Sequence, residues 1–332
     1  MSINIKIIAE KADVSTATVS RVLRNYPGVR EKTRKKVLKV IKKYNYEINY
    51  VARNLRKKET KTIGLIVGNI LSEFYSILAK SIEDISNSHG YNLILCNSAY
   101  NTEKELEHLK TLRANRVAGI ILCPWGKNKE YLNNIIDMGT KVVLLDGIIS
   151  GVKCDTVMSD NFEGTYKATK FLINKGYRKI SIISGNLFKK TLKDRVEGYK
   201  KALNEFDIKI NKNLIKICRG SGVKSGREGC LELLKQKDKP DVIFPLNLDL
   251  TLGAVMTIKN EGLSIPGDIG LMGFDESRFS QIITPPLTTI KQSVYELGKT
   301  ATNLLVDRIE NEKNLSYKNI KFKTEIIERD SV

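Results

Sequence analysis

Two apolar periodicities divide the chain. Up to about residue 46 the apolar positions recur at helical spacing, and from residue 62 they gather in short unbroken runs separated by amphipathic segments. In the first region Asn4 caps a helix through Lys11, and "ADV" makes a tight connection in which Asp13 adopts a turn conformation that Cβ normally resists. Ser15 caps a second helix. Within "VSTATVSRVLR" (14–24), Val19, Val22 and Leu23 form one stripe while Ala17, Ser20, Arg21 and Arg24 form the other. In "EKTRKKVLKVIKKYNY" Val37, Val40, Ile41 and Tyr44 share a face, with Lys35, Lys36, Lys39, Lys42 and Lys43 over the remainder. The first two helices, joined by so brief a turn and the second with a polar outward face, describe a helix-turn-helix, and the third closes a three-helix core. The second is either a short amphipathic surface helix or, being slim and basic outside, one made for a groove about 12 Å wide.

From residue 62 the runs "TIGLIVGNI", "NLILCNS", "VAGIILCP", "KVVLLDG", "KISIISG", "LIKICRG", "DVIFPLN" and "IGLMGFD" alternate with helical patterns. Repeated βα units predict parallel sheets covered on both faces. A break near residues 159–162 predicts two subdomains with a cleft between them, and ligands in such sheets bind beyond the carboxyl ends of the strands. The joining stretch "NYVARNLRKKETKT" (49–62) offers Asn49 as a cap, but its eight or so following residues are short of the roughly 12 that a helix needs to stand alone in water. It is either a charged linker or a helix that forms only on binding, with Leu55 as an apolar wedge, Ala52 as a small contact surface, and Arg53, Arg56, Lys57 and Lys58 as cations around them.

Charge sharpens the picture. The chain of 332 residues carries a net +19, and residues 1–61 hold 17 Lys or Arg against 5 Asp or Glu, compared with 39 against 32 in the rest. Concentration of positive charge at one end implies a polyanionic partner, nucleic acid or an anionic membrane surface. No run approaches the 18 or so apolar residues of a membrane span, and the start "MSINIKIIAEKAD" lacks the pattern of a secretion signal, so a cytoplasmic protein without a membrane partner is expected. Five scattered cysteines without a CxxC pair predict buried, reduced thiols. The cluster "RGSGVKSGREG" fits no phosphate loop, and Ser225 within it reads as a helix cap. With two isolated histidines and no nucleophile–base arrangement or metal-ligand spacing, neither an enzyme nor a metal or other cofactor is expected.

The run "VSTATVSRVL", "VREKTRKKVLKVI", "VARNL", "TIGLIV", "LAKSIEDI", "RVAGIIL", "VVLLD", "KGYRKISIISG", "RVEGYKKAL", "LGAV", "IPGDIGLMGFD" and "TPPLTTIKQ" resembles, in order and over nearly the whole chain, the lactose-repressor/galactose-repressor (LacI/GalR) family of bacterial transcription regulators. The resemblance implies an α/β protein: a three-helix helix-turn-helix headpiece (1–47), a hinge helix or linker (48–61), and a two-subdomain core with parallel sheets similar to periplasmic binding proteins (62–332). The subdomains are expected at about 62–160 with 292–312, and 161–291 with 313–332.

The implied partners are double-stranded palindromic operator DNA, a second copy of the chain in a homodimer, and a small sugar or sugar derivative as effector. The positions matching the family's base-reading residues are Thr16, Ala17 and Arg21, where Arg21 suits bidentate donation to guanine and Ala17 a thymine methyl. Ser15, Thr18, Ser20, Arg24, Asn49, Ala52, Arg53, Leu55 and Arg56 complete the expected DNA-contact set. Arg24 replaces the usual Asn, and Ile48 the usual Pro before the hinge. For the effector, the matching and strand-end positions are Ser72, Phe74, Tyr75, Trp125, Asp146, Asp160, Arg195, Asn247, Asp249, Asp275 and Gln292. Within "FPLNLDL" Leu248 stands where the family's acid belongs and Asp249 is displaced by one, about 100° around a helix. That irregularity admits a second mode of control within the family, a phosphorylated carrier protein docking on the core. A solute-binding protein without a transcriptional role is a third reading, against which the basic headpiece counts.

Overall fold

The computed structural model describes residues 3–23, 25–44, 46, 60–126, 128–311 and 316–332. The chain forms two compact units, residues 1–60 and 61–332. The expectations placed on Arg24, Asn49, Ala52, Arg53, Leu55 and Arg56, including the hinge helix, lie outside the described residues.

In the first unit the helices run Ile5–Lys11, Thr16–Leu23 and Glu31–Lys43. The Asn4 side chain accepts from the Lys6 and Ile7 amides at 3.0 and 3.2 Å, and Ser15 Oγ accepts from the Thr18 amide at 3.1 Å, so both starts have partners for otherwise unpaired N–H groups. Asp13 turns the chain between them at φ 48°. Ile8, Ala9, Ala12, Val19, Val22 and Val37 are buried together, with Val40, Ile41 and Tyr44 packed at their edge. Arg34 of the third helix donates to Asn25 Oδ1 at 2.5 Å and to the Tyr26 carbonyl at 2.6 Å, which pins the preceding loop.

The second unit contains strands β1 (Thr62–Val67), β2 (Asn92–Asn97), β3 (Gly119–Leu122), β4 (Lys141–Leu145), β5 (Asp155–Ser159), β6 (Ile180–Ser184), β7 (Ile215–Ile217), β8 (Val242–Pro245), β9 (Gly270–Phe274), β10 (Thr288–Lys291), β11 (Asn319–Phe322) and β12 (Glu325–Ile327). They form two sheets of the same order, β11-β5-β4-β3-β1-β2 and β12-β10-β9-β8-β6-β7, parallel apart from the β10–β12 pair. Each sheet has an apolar layer on both faces. The central strands β3 and β8 are buried throughout, which is why they read as unbroken apolar runs.

The chain passes between lobes after β5, after β10, and between β11 and β12. The third passage corrects the expectation that residues 313–332 all join the second subdomain. β11 pairs with β5 in the first sheet, Ile320 beside Val157, and only β12 belongs to the second.

The glycine cluster also differs from expectation. The helix there spans Val223–Leu234 with Gly222 as its N-cap, so Ser225 lies inside its first turn and is no cap. Gly226 and Gly253 instead let this helix approach Leu248–Asn260: a Cβ on Gly226 would come within 2.3 Å of the Leu250 carbonyl oxygen, and one on Gly253 within 2.3 Å of that of Val223. All five cysteines are free, but Cys96 and Cys218 are only half-buried, because β2 is an edge strand and Cys218 follows the edge strand β7.

Candidate functional site

In the first unit the outward side of Thr16–Leu23 presents Ser15, Thr16, Ala17 and Arg21 exposed, with Thr18 and Ser20 half-buried. The small residues at its start keep the helix thin, and among the described residues Arg21 pairs with no acid; this surface fits the width and acceptor atoms of a major groove. Lys35, Lys36, Lys39, Lys42 and Lys43 are exposed along the third helix. Lys36 meets Asp13 at 3.3 Å in a solvated pair that contributes little to stability.

In the second unit a cavity of about 40 Å³ lies at the carboxyl ends of the two sheets. Ten of the eleven expected effector positions line it: Ser72, Phe74, Tyr75, Trp125, Asp146, Arg195, Asn247, Asp249, Asp275 and Gln292. Asp160 does not. Its carboxylate caps the helix Asn161–Asn174 by accepting from the Glu163 amide at 3.2 Å, a backbone task that takes it out of the cavity lining.

Asp146 and Asp275 follow β4 and β9, at equivalent places in the two sheets. Both have left-handed backbone, φ 53° and 80°, and both donate their amide at 2.9 Å to the neighbouring strand, to the carbonyls of Val157 and Ile290. Asp275 accepts from Gln292 Nε2, just after β10, at 2.5 Å and from the Leu248 amide at 3.3 Å. Burial pushes its carboxyl above the usual range, against the pull of Arg195. Arg195 donates from Nε to Asn161 Oδ1 at 2.7 Å and from Nη1 to the Leu246 carbonyl at 2.5 Å, and its guanidinium lies 3.4 Å from the centre of the Phe274 ring. Asn247 caps Leu248–Asn260, accepting from the Leu250 amide at 2.7 Å and donating to the Ser221 carbonyl at 3.1 Å. The displaced Asp249 still faces the cavity and accepts from Asn69 of the opposite lobe at 3.1 Å.

Residues not foreseen complete the wall: Tyr100, Lys189, Thr191, Leu192, Ser221 and Leu248. Tyr100, Lys189 and Ser221 each lie just beyond a strand end, so the strand-end rule already contained the signal. Tyr100 stacks obliquely on Trp125 at 4.9 Å between ring centres and continues through Tyr75 at 6.5 Å. The buried Glu105 fixes this aromatic wall from behind, accepting from the Trp125 amide at 2.7 Å and from Asn128 Nδ2 at 2.8 Å; burial raises its carboxyl.

Comparison with known proteins agrees with both units. Residues 4–49 match the family described as bacterial regulatory proteins, lacI family, and residues 60–328 match periplasmic binding proteins and sugar binding domain of LacI family. The HTH-type transcriptional regulator RegA of Clostridium saccharobutylicum is 36% identical over 334 residues, covering 100% of this chain and 99% of that protein. Catabolite control protein A of Priestia megaterium is 36% identical over 306 residues, 92% of each. The crystal structure of the lac repressor dimer bound to operator and the anti-inducer ONPF has the same fold, with a TM-score of 0.84 at 24% identity over 100% of this chain and 99% of that one.

Proposed function

The chain belongs to the LacI family of bacterial regulatory proteins, and from that premise we propose that it is a homodimeric repressor of a carbohydrate-utilisation operon whose grip on a palindromic operator is set by a neutral, sugar-like effector in the core cavity. The observation that carries the effector class is a set of unsatisfied atoms. Asp146 Oδ1, Ser221 Oγ and Gln292 Oε1 are buried without a hydrogen-bond partner among the described residues, and all three residues line the cavity. Burying polar atoms unpaired costs roughly 1–3 kcal/mol each. Two acceptors and a hydroxyl call for a guest rich in O–H donors, and the Trp125–Tyr100 wall supplies a face for the C–H side of a sugar ring. Among the charged lining residues Asp146, Asp249 and Asp275 outnumber Lys189 and Arg195, which disfavours an anionic guest.

Thermal melting of the full chain with ribose, glucose, cellobiose, glucose 6-phosphate and hypoxanthine tests this reading. A ligand of the folded state at a hundredfold its Kd stabilises by about 2.7 kcal/mol, and the same sugar must change operator affinity. If no sugar shifts the transition, and operator affinity responds instead to a phosphorylated carrier protein, control passes from the cavity to the surface.

A further inference from the structure

A side chain of the protein itself spans the cavity. Lys189 stands at the start of the helix Lys190–Glu205 in the β6–β10 lobe, and its ammonium crosses to the other lobe. There it donates to Asp146 Oδ2 at 2.6 Å and to the Tyr75 hydroxyl at 3.1 Å. The pair is nearly dry, with the lysine side chain 10% exposed and the aspartate 5%.

The two equivalent acids of the site are therefore treated differently. Asp275 draws its hydrogen bonds from the Leu248 amide of its own lobe and from Gln292, which directly follows β10 on the same lobe's side of the crossover and comes from no point across the cleft. Among the described residues the carboxylate of Asp146 has one hydrogen-bond partner, Lys189, and it comes from across the cleft. Among the described residues the lobes are also linked through Asp249, which meets Asn69 at 3.1 Å and the Tyr100 hydroxyl, and through Arg278 to Glu73 at 3.0 Å, the latter with Arg278 88% exposed and so of little strength.

We propose that Lys189 is a tethered stand-in for the effector: its ammonium holds the lobes closed when no effector is bound, and an effector that takes Asp146 must displace it. The inference rests on reading this cavity as the effector site. A buried ion pair gains little over its hydrated partners, but removing one member leaves the other as an uncompensated buried charge. Asp146 without Lys189 is such a charge, and opening the cleft to water relieves it. The latch also selects the guest. A ligand offering donors toward Asp146 replaces what the ammonium supplied, whereas one offering only acceptors there leaves the carboxylate unpaired. Because the latched form competes with the liganded one, the latch lowers apparent affinity in proportion to its population.

The test uses the full chain without ligand. Small-angle scattering and amide hydrogen exchange are measured for wild type, Lys189→Met, Lys189→Arg and Asp146→Asn, with circular dichroism to establish folding. Lys189→Met increases the radius of gyration and loses protection at the cleft-facing segments around Tyr75 and Asn247, while Lys189→Arg stays as compact as wild type. Asp146→Asn, which removes the charge at constant shape, opens the cleft in the same way and serves if Lys189→Met does not fold. Unchanged scattering and protection in a folded Lys189→Met or Asp146→Asn overturn the proposal, as does a loss of protection spread evenly over both lobes. A sugar panel that finds no ligand bears on the effector reading alone, because the latch is read in its absence.

Discussion

Asp146 and Asp275 each hold a left-handed backbone at a strand end, a conformation that costs about 1–3 kcal/mol for a residue with a Cβ and persists only where the surroundings enforce it. Arg195 shows the same dependence on its surroundings. Its bonds to Asn161 and the Leu246 carbonyl tie the beginning of one helix to the end of β8. Arg195→Ala strips two buried acceptors of their donors and is expected to destabilise the core by about 2–4 kcal/mol in urea unfolding. A loss of effector response without loss of stability would assign the arginine to the ligand alone. Burial raises the Asp249 carboxyl above its ordinary value, so the folded chain holds that proton more tightly than the unfolded chain does. The stability tied to this group is fully present below the unfolded pKa near 4 and is lost as pH rises through the higher folded value. Asp249→Asn should therefore melt above wild type at about pH 7, with the gap closing toward about pH 4. Parallel pH profiles of the two proteins would show that this carboxyl is not coupled to folding.

At the scale of elements, the eight apolar runs all became strands, and the first two headpiece helices start and turn where Asn4, Asp13 and Ser15 indicate. Four strands were not foreseen, β5, β10, β11 and β12; β5 and β10 escaped because their polar residues are buried only through distant partners. Asp155 in β5 accepts from Arg308 Nε at 2.7 Å and from the Lys318 amide at 2.7 Å, and Thr288 in β10 donates to the Arg329 carbonyl at 2.9 Å. Local pattern cannot announce a strand whose polar side chains are satisfied more than forty residues away in sequence. Two helices yield direct predictions. Arg21→Ala should relax base preference at one operator position by roughly 1–3 kcal/mol, whereas Lys39→Ala weakens all sequences alike, as titration of single-base operator variants will resolve. Gly253→Ala forces a methyl against the Val223 carbonyl and should cost about 1–3 kcal/mol in urea unfolding; a neutral outcome would mean the two helices separate freely.

For the whole molecule, two sheets of one strand order place their carboxyl ends on a shared cavity, while a separate basic unit carries the surface suited to a groove. If that unit neutralises phosphates, the logarithm of operator affinity falls with the logarithm of salt at a slope of about −0.9 per contact; a flat dependence would remove the electrostatic role of residues 1–61. Effector and operator must also shift each other's affinity by the same factor, because coupling between two sites is reciprocal. The order of hydrophobic runs determined the α/β class and the break between lobes, since apolar periodicity records which faces are buried. Charge density determined which end meets a polyanion, since it sums over a segment whatever its shape. Only the tertiary structure decided that Asp160 caps a helix while Asp249 reaches the cavity, that β11 crosses back to the first sheet, and that Lys189 meets Asp146. Each of these depends on the direction of a side chain or strand relative to residues far along the chain, and that direction is fixed by packing, which spacing in sequence does not encode.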